Sequence, residues 1–217
     1  MDLYLLTRGP FVWAAFLIFF SGCLYQIIFI LAMGHHKKNL YPWAGIKGSL
    51  RSFLFGLLPF GSSYMRKNPV LTIVTVIFHL CLLLVPLFLL AHVILWYESW
   101  DFFWWCLPES FADVMTIAVI FSCIFFLGRR FLIPEVKSAT RAGDILLLIL
   151  VMIPFLTGFL ATHQWGPYRP LLITHIISSE ILISIIPFTR FGHMFFFWVS
   201  RAYMGAEYSK VLHPRDW

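Results

Sequence analysis

Apolar residues along this chain gather into long blocks separated by short polar segments. Five blocks are long enough to cross a bilayer as helix, which takes roughly 20 residues: about 11–33, 70–97, 112–133, 145–163 and 171–199. A further stretch, GSLRSFLFGLLPF at about 49–60, is too short and too interrupted to span. It reads as an interfacial helix with Lys47 and Arg51 at headgroup level, or as a rest for a cytoplasmic partner. The pattern predicts an all-α membrane protein: five transmembrane helices in one integral domain, 1–217, with a cytoplasmic loop at 34–69.

Composition agrees. Of 217 residues, 60% are hydrophobic and 12% charged, against about 45–50% and about 25% in soluble proteins. The FFSGC ending at Cys23 has a lipoprotein look, but the apolar run continues to Met33 and no basic leader precedes it. It is expected to be a retained span. The four cysteines form no CxxC and no CxxCH, which argues against a zinc ribbon and covalently attached c-type haem.

Charge placement orients the spans. The first loop holds Lys37, Lys38, Lys47, Arg51, Arg66 and Lys67 without an acid, and the third holds Arg129, Arg130, Lys137 and Arg141. The second loop and its edges hold Glu98, Asp101, Glu109 and Asp113 without a base, and the fourth only Arg169. Positive-inside placement then puts the N-terminus outside and the C-terminus in the cytoplasm of a bacterial or archaeal inner membrane. The net charge of +6 sits in inter-span loops and the tail, so nucleic acid is not an expected partner. Trp96, Tyr97, Trp100, Trp104, Trp105, Trp165 and Tyr168 fall near span edges and read as an interfacial belt.

Polar groups at membrane depth carry the chemistry, because they are costly there. His35, His36 and His213 fall in solvated segments, and His163 at the outer end of span four reads as interfacial. The other four of the eight histidines lie inside spans: His79 and His92 in span two, His175 and His193 in span five. On an ideal helix His175 and His193, 18 residues apart, share a face about 27 Å apart along the axis. Ser178, Ser179, Leu182, Thr189 and Gly192 lie near that face and leave it room. Spans two and five run oppositely, so the histidines match by depth: His92 with His175 outside, His79 with His193 inside. Two such pairs suit axial ligation of two haems. The 13-residue spacing of His79 and His92 gives a rotation of about 220°, so the pairing requires a kink, for which Pro86 is the candidate. Asp144 is placed to cap span four. Glu180 is either a proton acceptor for a quinol or a hydrogen-bonding partner to another span. Arg190 either pairs with a haem propionate or anchors the cytoplasmic edge.

The histidine pair closing on PFTRFGH resembles the last span of the gamma subunit of respiratory nitrate reductase, with Pro187, Phe188, Arg190 and His193 carrying the signature. AGDILLLILVMIPFLTGFL at 142–160 resembles that family's fourth span. The first loop and the span-two spacing depart from nitrate reductase itself, and the chain looks closer to gamma-like subunits in transmembrane redox complexes of sulfate reducers. The resemblance implies a dihaem cytochrome b: two haem b groups, optionally menaquinone, a periplasmic multihaem cytochrome c or other membrane subunits outside, and a cytoplasmic iron–sulfur subunit inside. Such a chain is an electron-transfer subunit of an oxidoreductase complex. The alternatives are a haem-free membrane anchor and a small proton-coupled transporter.

Overall fold

The computed structural model describes residues 3–36, 46–194, 196, 197 and 199–201. Lys37, Lys38, Lys210, His213 and Arg215 lie outside them. The described residues are helical and turn structure without strands: α1 (Leu3–Leu6), a π turn (Thr7–Phe11), α2 (Val12–His36), α3 (Ile46–Leu57), α4 (Ser63–Lys67), α5 (Pro69–Phe88), α6 (Leu90–Trp100), α7 (Glu109–Leu132), α8 (Pro134–Ala139), α9 (Ala142–Thr162) and α10 (Tyr168–Ile185). Short 3-10 turns at Ile186–Phe188 and Arg190–Gly192 follow, and helical residues resume at 193.

Five helices are long and apolar enough to span: Leu3–Ile30, Pro69–Phe88, Glu109–Leu132, Ala142–Thr162 and Tyr168–Phe188. The architecture is that of a multi-pass membrane protein. Side chains such as Leu17 and Phe121 are 68% and 71% exposed. Apolar surface on that scale fits hydrocarbon as its solvent, with backbone groups satisfied inside helices.

The chain divides into two compact units. The first comprises Met1–Arg8 and Val74–Ser179, the second Gly9–Ile73 and Glu180–Trp217. In the first, α7 packs on α9. Ala112, Met115, Thr116, Val119, Ser122 and Cys123 are buried along α7, and Val151, Pro154, Phe155, Thr157 and Ala161 along α9. The three- and four-residue steps make one stripe per helix, and small side chains let backbones approach closely where lipid offers no hydrophobic drive. The hydroxyls in these stripes bond back to their own helices: Thr116 to the Ala112 carbonyl, Ser122 to Ala118 and Thr157 to Ile153. Asp144 caps α9 as expected, accepting from the Arg141 N–H at 3.0 Å. At the other end of this unit Arg8 pairs with Glu98.

In the second unit, α2 meets the turn after α10. Gln26 donates to the Pro187 carbonyl at 3.0 Å, pairing an amide that a lone position in a membrane helix would leave unsatisfied. Gly22 lies one helical turn before it. A Cβ there would stand 2.6 Å from Pro187 Cγ and 2.7 Å from Phe188 Cζ, so the close approach requires glycine. The predicted interfacial segment is helical as α3, with Leu50, Leu54 and Leu57 exposed and Ser52 buried.

Three expectations change. The first span starts at Leu3 instead of about 11, because Gly9 and Pro10 do not stop the helix; the π turn, wider by one residue, takes up the proline ring. Span two is two helices. It breaks at Leu89, whose ψ of 128° is extended, three residues after Pro86; a proline acting alone disturbs the turn before it. Span five ends its α-helix at Ile185, and Thr189 is extended at ψ −176°. The same-face relation of His175 and His193 assumed continuous helix, so it does not follow from this backbone.

Replacing Gly22 with Val is expected to cost about 1–3 kcal/mol by overpacking, read as a lower melting temperature in detergent. Leu17→Val, on an exposed position of the same helix, is expected to change it little.

Candidate histidine site

All four histidines singled out above share one local arrangement. His79 Nδ1 lies 2.7 Å from the Thr75 carbonyl, His92 Nδ1 2.9 Å from Pro86, His175 Nδ1 2.8 Å from Pro154, and His193 Nδ1 2.6 Å from Arg190. A carbonyl only accepts, so each Nδ1 carries the proton and donates. The neutral ring then presents the lone pair of Nε2, the form in which imidazole binds a metal. A backbone carbonyl holding the far nitrogen is the usual outer support of such a ligand.

His92 and His175 meet within the first unit. Their ring centroids are 5.9 Å apart and their planes differ by 17°. Two imidazoles bound to one metal from opposite sides, each nitrogen about 2.0–2.1 Å from it, put the centroids roughly 6 Å apart. The expected pairing of these two residues across spans two and five is therefore a real adjacency. His79, half-buried beside Phe78 at a centroid distance of 5.2 Å, belongs to the first unit, and His193 to the second. Among the described residues no three His, Cys, Asp or Glu side chains converge as a metal group. A metal already held by a porphyrin would need only two protein donors, fewer than the three sought in such a group.

The backbone explains how His92 reaches His175. A broken helix leaves carbonyls without partners, and at membrane depth each is costly. Here every carbonyl of the last α5 turn is engaged. Val85 accepts from the Leu89 N–H at 3.0 Å. Pro86 accepts from the His92 ring. Leu87 accepts from Trp104 Nε1 at 2.8 Å, and Phe88 from the Leu107 N–H at 2.8 Å. The last two donors come from the segment after α6, which Asp101 turns back at φ 56°. That left-handed conformation is one Asp tolerates better than most side chains.

His175 is seated on α9. Its Nδ1 reaches 21 residues back to Pro154, and a Cβ on Gly158 would stand 2.9 Å from both its Cε1 and its Nδ1. Gly158 thus makes the recess in which the ring lies. Trp104, Pro154 and Gly158 were not picked out individually in the sequence. The aromatic belt concealed Trp104, and only a glycine inside an apolar span signalled the recess.

Glu180 lies half-buried in the second unit, its Oε1 shielded and without a hydrogen-bond partner among the described residues. Arg190 is exposed, and its carbonyl holds His193. His163, which reads as interfacial in the sequence, caps the end of α9. Its Nε2 stands 3.2 Å from Asp113 Oδ1 without hydrogen-bond alignment, and its ring packs on Phe159 and Trp165 at 4.4 and 5.5 Å.

Neither a known family profile nor a solved structure matches this chain. A protein of Nitratidesulfovibrio vulgaris, described only as "Protein", is 32% identical over 212 residues, covering 95% of this chain and 94% of that one.

Gly158→Ala is expected to destabilise the protein by about 1–3 kcal/mol by crowding His175. In a His175→Ala background the same change is expected to be favourable by up to about 1 kcal/mol, because Ala is the better helix former once the ring is gone. Reversible unfolding of the four proteins of this cycle measures the change of sign.

Proposed function

We propose that this chain, which belongs to one family with the Nitratidesulfovibrio vulgaris protein, is a dihaem cytochrome b subunit that carries electrons across a cell membrane. The observation that carries the reading is the His92–His175 pair, near-parallel at 5.9 Å with both Nδ1 atoms tied to carbonyls. The donor set fits haem b: two neutral imidazoles, free Nε2 lone pairs and an apolar setting. His79 and His193 are kept as proposed haem ligands on the sequence pattern alone, each with an Nδ1–carbonyl hydrogen bond of its own.

Haem b, when bound, supplies the one-electron couple. This chain's residues do the rest. His92 and His175 would hold one iron, and the Pro86 and Pro154 carbonyls fix the tautomer and aim of each ring. Gly158 leaves the space in which His175 sits. Val85, Val93 and Phe155, buried in the same unit, make its interior apolar. Arg190 is proposed to pair with a propionate of the second haem, and Glu180, unpartnered at Oε1, to accept a proton if a quinol such as menaquinol is oxidised.

The proposed orientation has the N-terminus outside and the C-terminus in the cytoplasm of the inner membrane, following the basic loops. The proposed partners are a periplasmic multihaem cytochrome c or other membrane subunits on one side and an iron–sulfur subunit on the other.

A pyridine haemochrome assay on the purified chain is expected to give two haem b per polypeptide. H92A and H175A are each expected to lose one, and H92A/H175A together still only one, because both ligate the same iron. H175A/H193A is expected to lose both. A wild-type chain with no b-type spectrum would leave the anchor or transporter reading in its place.

A further inference from the structure

We infer that Trp104 is the positioning residue for His92. The inference deepens the proposed haem site, and its haem readout rests on that reading. The residue lies in the segment between α6 and α7. Its effect runs through the backbone. Trp104 Nε1 donates to the Leu87 carbonyl at 2.8 Å, one position beyond the carbonyl that holds the His92 ring.

Three facts make this more than packing. First, continuous helix would spend the Leu87 carbonyl on an N–H four residues on. With Leu89 extended, that pairing gives way to the indole. Second, the neighbouring Phe88 carbonyl is met by the Leu107 N–H, so the returning segment bonds the broken turn at two adjacent positions. Third, Trp104 is anchored at its own end, its ring 5.8 Å from Trp96 on α6. Trp96 lies one helical turn beyond His92, so the same indole touches the helix that carries the histidine and the turn from which that helix departs. Without the donor, the Leu87 carbonyl loses its partner, and the lower-energy course is for the break to close toward regular helix. Regular helix returns His92 to about 220° from His79 and away from the Pro86 carbonyl.

The test uses the full chain in detergent, ¹⁵N-labelled at histidine and dithionite-reduced. Trp104→Phe keeps an aromatic ring and deletes only the N–H. Expected is a loss of exchange protection at His92 Nδ1–H of roughly tenfold, with His175 Nδ1–H unchanged, since Pro154 holds it from another helix. Redox titration is expected to show one of two midpoint potentials shifted or one haem lost, the other unaltered. Trp105→Phe, in the same segment, is expected to change neither signal. Should Trp104→Phe disturb both histidines, Trp104→His decides: a restored N–H that recovers His92 protection upholds the assignment, and failure to recover overturns it. Unchanged His92 protection in Trp104→Phe overturns it outright. A wild-type chain lacking haem sinks the two-haem reading, and the exchange readout still judges Trp104.

Discussion

A backbone carbonyl at membrane depth has no water to turn to, and much of this protein's candidate site follows from that constraint. A span is usually unbroken helix because helix alone satisfies every group internally. Span two departs from this, and the departure is tolerated because each carbonyl released at its end finds a donor. One is a backbone amide of the next residue along, one an imidazole, one an indole and one the amide of Leu107. All four carbonyls of that turn are engaged. That engagement makes the break a defined geometry and not a flexible point, and a defined geometry is what a metal ligand requires.

The two histidines of the pair are held by different means. His92 is presented by a helix that restarts, so its position depends on how the break is held. His175 lies on a continuous stretch of α10 and is docked on α9, where Pro154 offers a carbonyl and Gly158 offers space. Proline contributes in both cases through its carbonyl. Neither Pro86 nor Pro154 ends its helix; each lies inside one. A proline locally weakens the pattern of intrahelical bonding, which suits a carbonyl that accepts from a side chain.

The fold was legible because the bilayer imposes a coarse rule: blocks of about 20 apolar residues. Five blocks became five span-length helices, and Asp144 capped the helix its position implied. The pairing of His92 with His175 was expected from the sequence, and their rings lie side by side. What the sequence concealed was rotation. Ideal-helix arithmetic put His79 and His92 on nearly opposite faces, and it put His175 and His193 on one face through a segment that is not α-helical. Both results turn on single extended residues, Leu89 and Thr189, and beside Leu89 the neighbouring carbonyls are met by donors 17 and 19 residues along the chain. Gly9 and Pro10 misled in the opposite sense, since a π turn absorbed what reads as a stop.

The same reasoning separates the haem reading from its rivals. A docking anchor has no need for several histidines along its spans, each with Nδ1 committed to a carbonyl, and one surface histidine would serve it as well. A proton-coupled transporter asks for side chains that change charge along a continuous path. Imidazoles tied to carbonyls through Nδ1 are held in one tautomer, and a relay must exchange tautomers to pass a proton. Fixing the tautomer hinders a proton relay and helps a metal ligand, and all four span histidines have it fixed the same way. The shared hydrogen bond, repeated on α5, α6, α10 and the residue after the last 3-10 turn, is therefore the argument for metal ligation that does not depend on family likeness.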